Sequence, residues 1–327
     1  MSSVDAKKIP TAIVIGAGPA GLSVSLGLSY RGWKVNLIEK YNSFEIRGAS
    51  FGLASNGIKA LEEIHPGTVE EKMIGAGRAV KLPSGGLLLP WWMMRDALLE
   101  QVQETKSNNN STRIGIDLHM GLLVESILDE SELVKVKFTN GETIEGDLVI
   151  GADGVHSSVR EILGLPKNQL TGSKVFRGSV EVKIQLEEQD SDISSSSHAE
   201  QSVSLLERML TKGMVPLSAT YPGMHFFVLN FHPHIKGRMC WVFSTKDPSF
   251  NAEQTSIQSF VRKHESNEEK LANILAILNA STEGSLSSYT ETKVTDFSDD
   301  ILSQYDGRWG GKVSEVTLCV LTWHSFV

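Results

Sequence analysis

The chain has 327 residues, of which 40% are hydrophobic and 21% charged, a composition that excludes global disorder and a fibrous fold and fits roughly two globular domains. Its 31 basic and 39 acidic side chains leave a net charge of −8, which argues against a nucleic-acid partner, because gripping a phosphate backbone calls for a basic patch. The two cysteines, Cys240 and Cys319, are too few for a disulfide framework or a zinc cluster and point to a reducing compartment.

Thr11 to Ile15 (TAIVI) is a short apolar run of the kind that forms a strand buried on both faces. It runs into Gly16-Ala17-Gly18-Pro19-Ala20-Gly21, after which Leu22, Leu26 and Ser29 recur at helical spacing as far as Tyr30. Arg31-Gly32 stops that helix, and Val35 to Glu39 (VNLIE) reads as a second strand. Strand, glycine-rich turn, helix and strand within about thirty residues make a βαβ unit, so the two strands are expected to be parallel.

Tyr41 to Gly57 reads as loop, Ile58 to Glu63 as a short helix, and Leu87 to Trp92 as a strand. Arg95 to Glu104 reads as a helix with Leu98, Leu99 and Val102 on one face, ahead of a polar loop at Ser107 to Ser111. From Ile114 the period becomes two: Leu133 to Phe138 alternates, Asn140-Gly141 supplies a hairpin turn, and Thr143 to Glu145 returns. Leu148-Val149-Ile150 is another short buried strand, ending at Gly151-Ala152-Asp153-Gly154. Further on, Arg177 to Leu186, Met224 to Phe231 and Arg238 to Phe243 read as strands. Asp190 to His198 reads as an exposed loop, and Ile257 to His264 and Glu268 to Asn279 as helices, giving a mixed α+β second domain.

Gly16-x-Gly18-x-x-Gly21 has the form of a dinucleotide fingerprint. The first glycine allows the tight turn, the second lets the backbone approach a pyrophosphate, and the third lets helix and strand pack closely. Glu39, eighteen residues after Gly21 at the end of the second strand, is placed to bond ribose hydroxyls. It also argues against a 2′-phosphate there, since two anions would repel. A second segment, Gly151-Ala152-Asp153-Gly154 followed by Ser157-Ser158-Val159-Arg160, is a strand end opening a helix. Asp153 can meet a ligand there, or simply cap the helix.

These segments together resemble the FAD-dependent aromatic hydroxylases and epoxidases of the p-hydroxybenzoate hydroxylase-like monooxygenase family. The resemblance covers Thr11 to about Leu165 and includes Glu39, Arg47-Gly48-Ala49 ahead of Ser55-Asn56-Gly57, and Arg95-x-x-Leu98. It implies an α/β fold: a Rossmann-like FAD-binding domain, residues 1–70 and 93–169 with 291–327 as its incomplete last segment, interleaved with a mixed α+β substrate domain, residues 71–92 and 170–290. Cofactor contacts are implied for Gly16, Ala17, Gly18, Pro19, Ala20, Gly21, Glu39, Lys40, Arg47, Arg95, Asp153 and Gly154. The implied reaction is monooxygenation of a small aromatic or polyene-like substrate, with NAD(P)H as co-substrate and dioxygen acting through a flavin hydroperoxide. The flavin carries that chemistry, so no side chain is assigned as catalytic acid or base. Arg47 and Arg177 are candidates for groups near the flavin or an anionic substrate; alternatively each sits in an exposed salt bridge. The alternatives in function are a flavin- or NAD-dependent reductase and a nucleotide-binding chain without turnover.

The third family motif, a Gly-Asp that holds the ribityl chain, is expected after Val316-Thr317-Leu318, where Cys319 to Val327 stands instead. The resemblance therefore implies a C-terminally truncated member. Other signals are weaker. His232-Pro233-His234 lacks a third ligand for zinc, so no metal is expected. Trp91-Trp92-Met93-Met94 is expected to be core strand rather than the wall of a substrate pocket. Gly86 to Met94, the longest apolar run, is far short of the roughly 18 residues of a membrane helix. Met1 to Pro10 has neither a secretory core nor Arg-rich transit character, and a cytoplasmic location is the expectation.

Overall fold

The computed structural model describes residues 8–45, 50–82, 85–107, 115–130, 133–154, 156–165, 169–181, 214–216, 224–230, 238–250, 256–281, 287–294 and 313–315. In chain order the elements are β1 (Thr11–Ile15), α1 (Pro19–Tyr30), β2 (Lys34–Glu39), β3 (Ser50–Leu53), α2 (Ser55–Ile64), a π-helix (Thr68–Gly75), β4 (Val80–Lys81) and β5 (Leu87–Pro90). There follow α3 (Trp91–Ser107), β6 (Ile116–Met120), β7 (Val124–Asp129), β8 (Val134–Phe138), β9 (Thr143–Gly146), β10 (Leu148–Gly151) and α4 (Ser158–Ile162). The remainder comprises β11 (Gln169–Glu181), β12 (Met214–Pro216), β13 (Met224–Asn230), β14 (Arg238–Thr245), α5 (Ile257–His264), α6 (Glu268–Ala280), β15 (Ser287–Val294) and β16 (Val313–Glu315). The chain divides into two compact units, Met1–Asn168 with Thr295–Val327, and Gln169–Val294.

The first unit is built on a parallel sheet in the order β16-β10-β1-β2-β6. Val14 stands between Ile150 of β10 and Leu37 of β2, so the βαβ expectation holds. The apolar runs are continuous because both faces are covered. Alternate residues split accordingly. Val14, Val35, Leu37, Ile116 and Ile150 pack with Leu22, Leu26, Leu98 and Val102 of the helices. Ile13, Ile15, Ile38 and Val149 pack against Val134, Val136 and Phe138 of the β7-β8-β9 meander.

The stretch read as loop, Tyr41 to Gly57, contains β3 and the start of α2. β3 pairs antiparallel with β5, Ser50 opposite Pro90 and Leu53 opposite Leu87, so its signal lies in a partner far along the chain. The expected strand to Trp92 stops at Pro90, and α3 begins at Trp91. Residues 71–92, expected with the substrate domain, fall in this first unit: Met73, Ala79, Leu87 and Leu89 share one core with Leu22 and Val35. The π-helix had no sequence signal. The Glu62 carboxylate anchors its start, accepting from the N–H groups of Gly67 at 2.8 Å, Val69 at 2.5 Å and Glu70 at 3.2 Å.

The second unit is an antiparallel sheet in the order β12-β13-β14-β11-β15. Its core is aromatic: Phe176, Phe226, Trp241, Phe243, Phe250 and Phe260 pack with Ile274, Ile277 and Leu278 of α6. Trp241 stacks on Phe226 with 5.6 Å between ring centroids, and its indole N–H donates to Ser281 Oγ at 2.8 Å. Opposite Trp241 in the register stands Gly178. A Cβ there would lie 2.4 Å from the indole, so the ring occupies the space of the missing side chain. β11 starts earlier than the expected Arg177 and is described to Glu181; the expected serine-rich loop lies outside the described residues.

Candidate dinucleotide site

The C-terminal ends of β1, β2 and β10 open onto a cavity of about 350 Å³, the place where open parallel sheets take their ligands. Gly16, Ala17, Gly18, Glu39, Lys40, Arg95, Asp153 and Gly154 all line it, so residues far apart in sequence meet there. Pro19, Ala20 and Gly21 form the first turn of α1 just behind the wall. Arg47 lies outside the described residues, as do His232, His234 and the segment after Leu318. Arg177 falls in β11, opposite Val242, and its side chain is outside the described residues.

The three glycines do different work. Gly16 has φ +104°, and a Cβ on it would lie 2.4 Å from the Ala152 carbonyl oxygen. At Gly21 a Cβ would lie 1.8 Å from the Gly16 carbonyl oxygen. Both are glycine because the protein backbone passes there, whatever is bound. Gly18 is the N-cap of α1 with ordinary extended backbone at φ −73°. Among the described residues, its own chain neighbours and helix backbone aside, the nearest atom to a Cβ at Gly18 would be Trp91 Cζ2, 3.8 Å away. Of the three, only Gly18 leaves open room beside the cavity.

The helix start beside Gly18 is built for an anion. No side chain caps it, Pro19 occupies the first turn, and that turn carries no acidic residue. The partial positive charge of the helix end is therefore left for a ligand. These features fit a pyrophosphate.

Glu39 is 9% exposed, and its two carboxylate oxygens accept from the N–H groups of Ala17 at 3.0 Å and Tyr41 at 3.1 Å. It thus clasps the glycine turn to the end of β2 while facing the cavity. Its remaining lone pairs suit ribose hydroxyls. Lys40 sits over the Tyr41 ring at 5.1 Å.

The N-cap of α4 is Ser157, whose Oγ accepts from the Arg160 N–H at 3.0 Å, and Asp153 supplies further acceptors to the same turn rather than the cap itself. Asp153 Oδ1 accepts from Ser157 Oγ at 2.5 Å, and its Oδ2 from the N–H groups of Ser158 at 2.7 Å and Val159 at 3.2 Å. The carboxylate shapes the turn that brings Gly154 and Ser158 to the cavity.

Arg95 is 5% exposed. Its Nε and Nη2 donate to Asp96 Oδ1 at 2.9 and 2.7 Å, and Nη1 donates to the Glu45 carbonyl at 2.8 Å. It also sits over the rings of Phe44 and Trp91. Sequence reasoning missed Tyr41, Phe44 and Leu122 to Val124 as cavity walls, because the first four come from loops and Val124 from the start of β7, none of them within a motif. Trp91 was expected in a core strand and instead lines the cavity at the head of a helix; Met93 and Met94 are buried. Among the described residues no group of three His, Cys, Asp or Glu is arranged for a metal, and no helix is long and apolar enough to cross a membrane.

The chain is similar to several known proteins. A probable 2-heptyl-3-hydroxy-4(1H)-quinolone synthase, AqdB2 of Rhodococcus erythropolis, is 27% identical over 53% of this chain and 46% of its own length. The FAD-dependent urate hydroxylase of Klebsiella pneumoniae is 29% identical over 52% of this chain and 48% of its own. The chain thus spans about half the length of the curated relatives it matches. Among solved structures, FqzB superposes with a TM-score of 0.66 at 17% identity, covering 94% of this chain and 70% of that one. Klebsiella pneumoniae HpxO, complexed with FAD and uric acid, gives 0.61 at 17% identity over 94% of this chain and 72% of that one. These likenesses are of fold. The FAD binding domain family matches residues 9–246, from the first strand into the second unit, and the chain belongs to that family, whose relatives here include FAD-dependent monooxygenases.

Proposed function

We propose that this chain binds FAD in the first-unit cavity and serves an FAD-dependent monooxygenase of the cytoplasm. In this reading it hydroxylates or epoxidises a small organic substrate, aromatic or polyene-like, with NAD(P)H as electron donor and dioxygen as oxygen source. The observation that carries the reading is the meeting of the glycine turn, Glu39, Arg95 and Asp153-Gly154 around one cavity. The open helix start at Gly18 and the N–H groups of the turn would hold the pyrophosphate. Glu39 would take the adenosine ribose, and Lys40 and Arg95 would balance the phosphate charge. Asp153 would hold the turn at Gly154 against the cofactor. Arg47 is proposed for the flavin end of the site. Bound FAD supplies the redox chemistry, which no side chain can. Residues 170–290 would supply substrate contacts.

The test starts with the visible spectrum of the purified chain, repeated after adding FAD and removing the excess. A retained oxidised-flavin spectrum supports the cofactor reading; a colourless protein that cannot be reconstituted overturns it. NAD(P)H oxidation is then followed with and without candidate phenols. Substrate-stimulated oxidation with oxygen incorporation supports the monooxygenase. Retained flavin without oxidation supports a binding chain instead.

A further inference from the structure

We propose that Trp91 is a positioning residue for the dinucleotide, fixing the Arg95 guanidinium and covering the open edge of the glycine turn at Gly18. The inference rests on the FAD-binding reading above.

It begins with where α3 starts. Because β5 stops at Pro90 and the helix begins at once, Trp91 stands one helical turn ahead of Arg95, at i and i+4 on one face. The Arg95 guanidinium carbon lies 5.6 Å from the Trp91 ring centroid and 5.0 Å from that of Phe44. Both distances are within cation–π range, and the attraction is stronger for a cation as shielded from water as this one. Asp96 and the Glu45 carbonyl take three of the five guanidinium N–H groups. The rings and these acceptors together hold the guanidinium in one place at the cavity wall.

Trp91 also has a side that the protein leaves open. It is 36% exposed and lines the cavity. Among the described residues, and apart from Gly18's own chain neighbours and helix backbone, Trp91 Cζ2 is the one atom within 4 Å of where a Gly18 Cβ would sit. The indole therefore overlooks the fingerprint glycine with free space beside it, next to a helix end with no side-chain cap. An anion seated on that helix end would bury the exposed part of the indole and meet a guanidinium that needs no reordering. Less entropy is then lost on binding.

The experiment uses the full 327-residue chain, titrated separately with FAD and with ADP at several salt concentrations. The variants are Trp91→Ala and Trp91→Phe, each also unfolded in urea. Trp91→Ala is expected to raise Kd for both nucleotides about tenfold and to flatten the salt dependence, while Trp91→Phe recovers most of the affinity. ADP, which does not absorb in the emission range, should change the intrinsic fluorescence of the wild type but not of Trp91→Phe. Wild-type Kd in Trp91→Ala overturns the proposal. So does a loss in both variants that merely tracks their loss of stability. Failure of the wild type to bind either nucleotide overturns the FAD-binding reading itself, a result distinct from unchanged affinity in the variants.

Discussion

The two compact units solve the problem of burying a sheet in different ways. In the first, a parallel sheet has aliphatic side chains on both faces, with helices on one side and a β-meander on the other. Its alternation of Ile13, Val14 and Ile15 between two cores leaves the strand ends free to form a site. In the second, an antiparallel sheet carries a cluster of Phe and Trp rings, and one glycine gives way to one indole. Aliphatic cores covered on both faces tolerate shape changes in many small steps. A core of a few large rings depends on each of them.

The largest expected effect is in the first unit. Gly21→Ala sets a Cβ against the Gly16 carbonyl oxygen at 1.8 Å, and should cost about 4 kcal/mol or more in urea unfolding. A change under 1 kcal/mol would show that the turn and helix separate easily. In the second unit, Trp241→Ala removes the ring stack on Phe226 and the bond to Ser281 and should cost about 3–5 kcal/mol. Gly178→Ala should be strongly destabilising in the wild type and nearly silent in the Trp241→Ala background, because the indole is what the new Cβ would meet. Equal costs in both backgrounds would mean that the pair is not coupled.

Glu39→Gln sharpens the contrast between site and scaffold. The amide has one oxygen where two N–H donors, those of Ala17 and Tyr41, now find acceptors. Stability should fall by about 1–3 kcal/mol, with weaker retention of FAD in the same preparation. Gly18→Ala is the converse. The backbone and the space allow it, so stability should move by less than about 1 kcal/mol, while the new methyl group faces the ligand and FAD retention drops at least severalfold. Unchanged retention would mean that the pyrophosphate does not approach that edge.

The smallest effect belongs to the meander. Hydrogen bonds from Lys135 to Glu130 and Glu145 raise its ammonium above the usual 10.5. Because the folded-state value is the higher one, the contribution is complete below the unfolded value and is lost as pH climbs through the folded one. Lys135→Met should therefore lower the melting temperature slightly at neutral pH, with the difference fading above pH 10.5 and in high salt. A difference that persists in strong alkali would show that packing of the lysine stem, rather than its charge, is responsible.

What could be read from the sequence follows the distance between partners. The run from Thr11 to Glu39 carries its own strand, turn and helix signals, and the hairpin at Asn140-Gly141 does likewise. Local spacing therefore placed the glycine turn, Glu39 and Asp153 correctly on their elements. β3 was hidden because, among the described residues, its one partner is β5, far along the chain. The π-helix was hidden because its start depends on Glu62 reaching forward to three N–H groups. Trp91 was misplaced because an apolar run of Leu, Pro and Trp carries no mark of where strand becomes helix. The cavity walls from Leu122 to Val124 have no motif and arrive only through the sheet order.

The unequal duties of the three glycines change what such a fingerprint can testify to in a lineage. A descendant that stopped using a nucleotide would still be held to Gly16 and Gly21, since their absence would set side chains against Ala152 and against the turn itself. Gly18 would be the first to drift, because among the described residues no atom demands a glycine there. The first and third glycines are thus heirlooms of packing, and the middle one is the witness to use. In this chain the witness is still in place.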